Sequence, residues 1–168
     1  MSRLDGWMAQ KLGILPEQLD RSAIEQQLVC VSQSEISRVV TMQTSGTSGR
    51  SKRLFFSQAD QQLTIDFFAC GLSELNHDGD RCMILMPGNR PGGMSHLIQQ
   101  ALLQIGAVPV PCGNDVSFAH MAQLLAVHQV NTMVGSPVQI LSLARYLQHY
   151  QLPHSIKAVL VSSDYLPE

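Results

Sequence analysis

The sequence predicts an α/β fold, a parallel sheet with helices on both faces, and three observations carry that expectation. From Arg81 onward, short apolar runs rich in β-branched residues alternate with helical stretches as far as Val161. The run Cys82-Met83-Ile84-Leu85-Met86 is apolar without a break, as in a strand covered on both faces. Between two further apolar runs, residues 38–42 and 54–56, lies Thr44-Ser45-Gly46-Thr47-Ser48-Gly49-Arg50-Ser51-Lys52-Arg53, whose composition suits a ligand loop better than a linker.

The chain opens with a lead-in, residues 1–35, in which Pro16 starts a helix carrying Leu19, Ile24 and Leu28 on one face. Trp7 and Met8 are expected to pin it to the main body, and no chemistry is read there. After the loop, Ser57 stands three residues before Asp60, an N-cap signal. A helix is expected from there to about Asn76, burying Leu63, Phe67, Cys70, Gly71 and Leu75. His77-Asp78-Gly79-Asp80 is a turn, with His77 solvated. A helix over residues 95–105 stops at Gly106. A strand over 107–110 contains Pro109, which places it at an edge. A helix over 117–128 turns Phe118, Met121, Leu124 and Leu125 inward, and a strand covers 130–134. Ser136-Pro137 is a cap followed by proline at the first helical position, opening a helix to about His149. A last strand covers 156–161. The carboxyl ends of these strands carry residues 87–93, 135–137 and 162–164, where ligands of parallel sheets gather.

Composition narrows the function classes. With 168 residues, 45% hydrophobic and 14% charged, the chain is one globular domain's worth and not a disordered one. A net charge of −2 offers no basic surface for nucleic acid. No apolar run reaches membrane-spanning length and the first residues lack a signal-peptide pattern, so a cytoplasmic protein is expected. Cys30, Cys70, Cys82 and Cys112 form no Cys-x-x-Cys motif and are expected as buried free thiols. No histidine pair has ligand spacing beside a carboxylate, so no protein-held metal is expected.

The loop at 44–52 has the chemistry of a polyphosphate cradle. Glycines at 46 and 49 let backbone N–H groups converge on one anion. The hydroxyls of Thr44, Ser45, Thr47 and Ser48 add donors, and Lys52 adds a mobile cation. No acid lies between Glu35 and Asp60 to cancel that field. It is not a Walker A loop, because two residues rather than four separate the glycines and Arg53 follows the lysine.

The stretch resembles the phosphate loop of the adenylate-forming enzymes, a family that includes acyl- and aryl-CoA synthetases, luciferases and peptide-synthetase adenylation domains. Thr44 to Gly49 and Lys52 match its pattern, while Ser51 replaces a usual proline and Arg53 a frequent glycine. Further along, Met86-Pro87, the segment 106–110, Val134-Gly135-Ser136-Pro137 and the segment 162–168 follow the family's order. The likeness covers residues 35–168 and is nearest the phenylacetate–CoA ligase-like branch. Ser162-Ser163 stands where a glycine pair is common, which bears on adenine contacts there.

The resemblance implies part of the large N-terminal domain of an adenylate-forming enzyme, with residues 36–168 as a partial AMP-binding domain and 81–168 as its α/β subdomain. It implies ATP, Mg2+ and coenzyme A as cofactors and a small carboxylic acid as substrate. Thr44, Ser45, Gly46, Thr47, Ser48 and Gly49 would bind phosphate, with Lys52 as charge partner. His96 and Pro137 would lie toward the acid; for His96 a plain helix-surface position is the competing reading, as solvation is for Arg90. The family's later motifs do not occur, so the resemblance implies about the first third to two fifths of a full enzyme, inactive alone. A sheet edge left bare after Val161 would then favour a homo-oligomer. The alternatives are a non-catalytic nucleotide- or acyl-binding module, or an acyl-protein synthetase of the same fold that passes the acyl group to a protein thiol.

Overall fold

The computed structural model describes residues 56–113 and 115–162. The lead-in, the loop at 44–52 and residues 163–168 lie outside the described residues. The chain divides into two compact units, residues 1–70 and 71–168.

Helix α1 (Gln58–Leu72) begins on the cap that the sequence announces. The Asp60 backbone N–H donates to Ser57 Oγ (3.1 Å), and the Ser57 N–H and hydroxyl both donate to Asp60 Oδ2 (2.8 Å each). This reciprocal box satisfies N–H groups that the first turn cannot. The helix ends four residues before the expected Asn76, because Asn76 turns back on it: its backbone N–H and its Nδ2 both donate to the Leu72 carbonyl. The expected buried face is corrected too. Ala69 and Leu72 are buried, whereas Leu63 and Phe67 are exposed.

The second unit is a four-stranded parallel sheet in the order β2-β1-β3-β4, formed by β1 (Arg81–Leu85), β2 (Val108–Pro111), β3 (Thr132–Gly135) and β4 (Ala158–Val161). Helices α2 (Met94–Gln104), α3 (Phe118–Val127) and α4 (Pro137–His149) supply the crossovers. Strand β1 is central, and Cys82, Met83, Ile84 and Leu85 are fully buried. Strand β2 takes an edge, which suits Pro109 and Pro111, since neither has a ladder N–H to give. Strand β4 takes the other edge and leaves Val159, Leu160 and Val161 exposed.

Side chains alternate across the sheet, so the two faces have different cores. Met83 and Leu85 of β1, Val110 of β2 and Met133 of β3 pack with Met121 and Leu125 of α3 and Leu143 and Leu147 of α4. Helix α2 packs on β1 and β2, burying Ile98, Ala101 and Leu102. Right-handed crossovers demand this division: β1 to β2 runs one way along the sheet, while β2 to β3 and β3 to β4 run the other. Helices therefore cover both faces, as the sequence predicts. Of the expected inward residues of α3, Met121 and Leu125 are buried and Leu124 is partly so, but Phe118 is exposed and its ring stacks toward Tyr146.

Each crossover helix ends on the same device. Beyond α2, the Ala107 N–H reaches the Leu102 carbonyl and the Gly106 N–H the Leu103 carbonyl, with Gly106 at φ +79°. The pattern recurs after α3 through Gln129 (φ 49°) and after α4 through Gln151 (φ 52°).

Candidate functional site

Between β1 and β3 the direction of the connections diverges. Chain leaving β1 passes to α2 on one face, and chain leaving β3 passes to α4 on the other. Ligands of open parallel sheets bind at the carboxyl ends of the strands flanking such a point. Here those ends are Leu85 and Gly135, paired in register. Gly135 is required by that closeness, because a Cβ on it would lie 2.8 Å from Leu85 Cβ. Its carbonyl accepts the Ser162 N–H at 3.0 Å, which holds the end of β4 beside it.

The β1 end runs into a loop, residues 87–93, that folds back onto the first turn of α2. The N–H groups of Ser95 and His96 donate to the carbonyls of Pro87 (3.1 Å) and Gly88 (3.3 Å). Two of the free N–H groups at this helix start are thus already taken by the loop. Gly88 has φ +88°, and a Cβ on Gly93 would sit 2.2 Å from the Gly88 carbonyl oxygen. Only glycine allows that crossing of backbones. Asn89 locks the loop from its own side: its Oδ1 accepts from Ser95 Oγ (2.7 Å) and from Gln99 Nε2 (3.2 Å). Ser95 is wholly buried.

His96 is half-buried, and its Nδ1 accepts the Gly92 N–H at 3.2 Å. His96 is therefore built into the loop as well as lying on the helix. Arg90, two residues before Gly92, is exposed, in keeping with its solvated reading. Pro137 is fully buried at the start of α4, where Ser136 Oγ accepts the Gln139 N–H. A proline so enclosed shapes the β3 end. The expected phosphate ligands, Thr44, Ser45, Gly46, Thr47, Ser48, Gly49 and Lys52, lie outside the described residues. Sequence reasoning did not single out Asn89, whose partners at 95 and 99 share one helix face and were the available signal.

Burial pushes the Cys82 thiol up to about 11; the Thr132 contact opposes this and the Asp80 charge adds to it. Burial also raises Cys112. Cys82 is buried as expected, while Cys70 and Cys112 are only partly so. Among the described residues no three His, Cys, Asp or Glu groups gather to hold a metal ion, and no helix is long and apolar enough to cross a membrane.

The amino ends of the strands hold the other polar cluster. Asp80 accepts from Lys157 Nζ (2.7 and 2.9 Å), from Asn131 Nδ2 (2.9 Å) and from the His77 N–H (2.8 Å). Burial pushes this carboxyl up, but the Lys157 ammonium and the two N–H donors outweigh it and hold Asp80 below its ordinary range. Asn131 also accepts from the Arg81 N–H, and the Thr132 hydroxyl donates to Asn76 Oδ1.

No protein-family model matches the chain. No curated protein sequence matches it either. Solved structures do. Over 98% of its length the chain superimposes on 43% of 2-hydroxyisobutyryl-CoA ligase, in an open conformation with 2-HIB-AMP and CoA, at a TM-score of 0.64 and 19% identity. It covers 28% of the N-terminal domain of FACL13 from Mycobacterium tuberculosis with 66% of its own length, at a TM-score of 0.55 and 15% identity. A Mycobacterium tuberculosis fatty acyl CoA synthetase matches 66% of the chain over 22% of its own, at a TM-score of 0.51 and 16% identity. At these identities the likeness is one of fold: this chain has the α/β architecture found in the acyl-CoA ligases. It spans about two fifths of the length of the 2-hydroxyisobutyryl-CoA ligase.

Proposed function

We propose that this chain supplies the phosphate-binding and acid-side portion of an AMP-forming acid–CoA ligase. The observation that supports the reading most is the superposition of nearly the whole chain on a ligase that holds an acyl-adenylate and CoA. The loop sequence at 44–52 adds to it. In the reaction, a carboxylate oxygen attacks the α-phosphorus of ATP, the bond to the bridging oxygen breaks and pyrophosphate leaves. The thiol of coenzyme A then attacks the acyl carbonyl, and AMP leaves. The N–H groups and hydroxyls of Thr44, Ser45, Gly46, Thr47, Ser48 and Gly49 hold the β- and γ-phosphates, and Lys52 offsets their charge. Magnesium, where bound with the nucleotide, would share that charge. His96 and the β3 end shaped by Pro137 lie on the acid's side. The chain aligns with about two fifths of such a ligase, and by itself it is proposed not to adenylate.

The test separates the half-reactions in the enzyme that carries this chain. Gly46→Val puts a branched side chain where backbone must wrap an oxyanion, and should abolish ATP–pyrophosphate exchange. Thioester formation from supplied acyl-adenylate should survive, since pyrophosphate takes no part in it. Lys52→Ala should slow exchange about 10–100-fold, the loss of one charge-assisted contact. Exchange that persists in Gly46→Val, or an equal fall in both half-reactions, refutes the loop assignment.

A further inference from the structure

The two edges of the sheet are guarded differently. Strand β2 closes one side with Pro109 and Pro111, which offer no N–H to an incoming strand. Strand β4 closes the other with Ala158-Val159-Leu160-Val161, which holds no proline, no glycine and no charge. Edge strands of native proteins are commonly blunted by just such residues. The nearest charge, Lys157, is drawn away from the edge: its Nζ donates to both Asp80 oxygens, at 2.7 and 2.9 Å. Among the described residues no strand lies beyond β4. Its two faces are open as well. Val159 is in register with Met133 and Leu160 with Val134, so Val159 and Val161 share the face that α3 and α4 cover, and Leu160 lies on the face of α2. All three are still 36–37% exposed, whereas every residue of β3 is buried.

We propose that this edge pairs with β4 of a second copy of the chain, antiparallel about a two-fold axis through Leu160. A two-fold axis perpendicular to the sheet keeps each face on its own side, so a residue can oppose only one that shares its face. Centred on Leu160, the pairing sets Leu160 against its own copy, Val159 against Val161 of the partner subunit and Ala158 against Ser162 of the partner subunit. Every Val and Leu of the strand then meets another apolar side chain, and the two Lys157 side chains stand at opposite ends, so no charge meets its like. Centring on Val159 instead would set Lys157 against Val161. The strand is thus complementary to itself in side chains and in charge, which selects a second copy as its occupant. One short strand from each copy makes a small interface, so the dimer is reversible. This pairing does not depend on the ligase reading.

Sedimentation of the 168-residue chain should show monomer passing to dimer across about 10–300 µM. Over the same range, amide exchange should slow at residues 158–162 and stay unchanged along β2. Leu160→Lys sets two like charges against each other at the axis and should raise the dissociation constant at least about tenfold. Leu160 is already exposed, so the urea midpoint of the monomer should hold. Val159→Lys should weaken the dimer too. Adding Val161→Glu to that chain places opposite charges across the interface twice and should recover it. A chain that stays monomeric throughout overturns the proposal. A dimer indifferent to Leu160→Lys, or concentration-dependent protection lying outside residues 158–162, means another interface and overturns it as well. Failure of Val161→Glu to recover the dimer overturns the pairing centred on Leu160.

Discussion

The two ends of the sheet are built on opposite plans. At the amino end, charge and amide groups from distant parts of the chain close on one another: Asp80 and Lys157 are 77 positions apart, and Asp80 and Asn131 are 51 apart. At the carboxyl end of β1, the polar groups of residues 88–99 bond within about ten positions of themselves, and glycines do the bending. The first arrangement spends its hydrogen-bonding capacity on joining β1, β3 and β4. The second holds a local shape. Stability is therefore expected to depend on the amino end and ligand chemistry on the carboxyl end.

The largest effect should come from breaking the amino-end cluster. Asp80→Ala removes the acceptor for Lys157, Asn131 and the His77 N–H at once. Lys157 is half-exposed and regains water, which tempers the loss. A destabilisation of about 3 kcal/mol is expected, read by urea unfolding. The pH dependence has a fixed sign. Asp80 titrates below its ordinary 3.8 in the folded chain, so the stability it gives is complete above that value and disappears as pH falls through the folded one. Asp80→Asn should flatten the fall in stability below about pH 4. A variant as acid-sensitive as the native chain would mean that Asp80 is not the group responsible.

Gly135→Val tests the point where the two plans meet. Its Cβ would lie 2.8 Å from Leu85 Cβ, and the added methyls have no space between two buried strands. Overpacking of this kind should cost about 2 kcal/mol and spread the carboxyl ends of β1 and β3. If the substitution leaves the melting temperature unchanged, the strand ends are not held as closely as the register implies.

Asn89→Ala is the matched change on the carboxyl side. It deprives the buried Ser95 hydroxyl of its acceptor, a loss of about 1 kcal/mol, roughly a third of the Asp80 effect. Amide exchange should quicken over residues 88–96 and stay native across the four strands. Faster exchange throughout the sheet would show that this loop is part of the structural core after all.

What the sequence disclosed follows from range. The Ser57–Asp60 box, the Ser136-Pro137 start of α4 and the Gly106 stop are settled within four residues, and each stands where it was read. The unbroken run at 82–86 declared a central strand because burial on both faces leaves no polar position. The Asp80–Lys157 pair had no such signal, since two charges 77 positions apart carry no period. The buried side of α1 was misread because its apolar residues fall all around the helix, so spacing did not choose between Leu63 and Ala69. At the candidate site, the Pro-Gly character of 87–93 marked the loop. The bond from Gly92 to His96 needed coordinates, and the phosphate loop at 44–52 stays a reading of residues alone.

The smallest effect expected is a gain. Gln129 and Gln151 occupy the left-handed position that ends α3 and α4, at φ 49° and 52°, where Gly106 serves α2. A side chain there costs about 1–2 kcal/mol relative to glycine in the folded state. Glycine returns part of this through the greater freedom of the unfolded chain, about 0.5–1 kcal/mol. Gln129→Gly should therefore stabilise by about 0.5 kcal/mol. Gln151→Gly should do the same, because the N–H groups that follow make the same pair of bonds back into the helix. Gln129 has a further contact to lose, since its Oε1 accepts from Arg81 at 2.8 Å on an exposed surface. An exposed contact of that kind contributes little, so the two gains should differ by only a few tenths of a kcal/mol, with Gln151→Gly the larger. Paired thermal melts would show it. A loss at Gln129 beside a gain at Gln151 would mean that the Arg81 contact, at the amino end of β1, is worth more than its exposure suggests, and would extend the structural cluster at that end out to the surface.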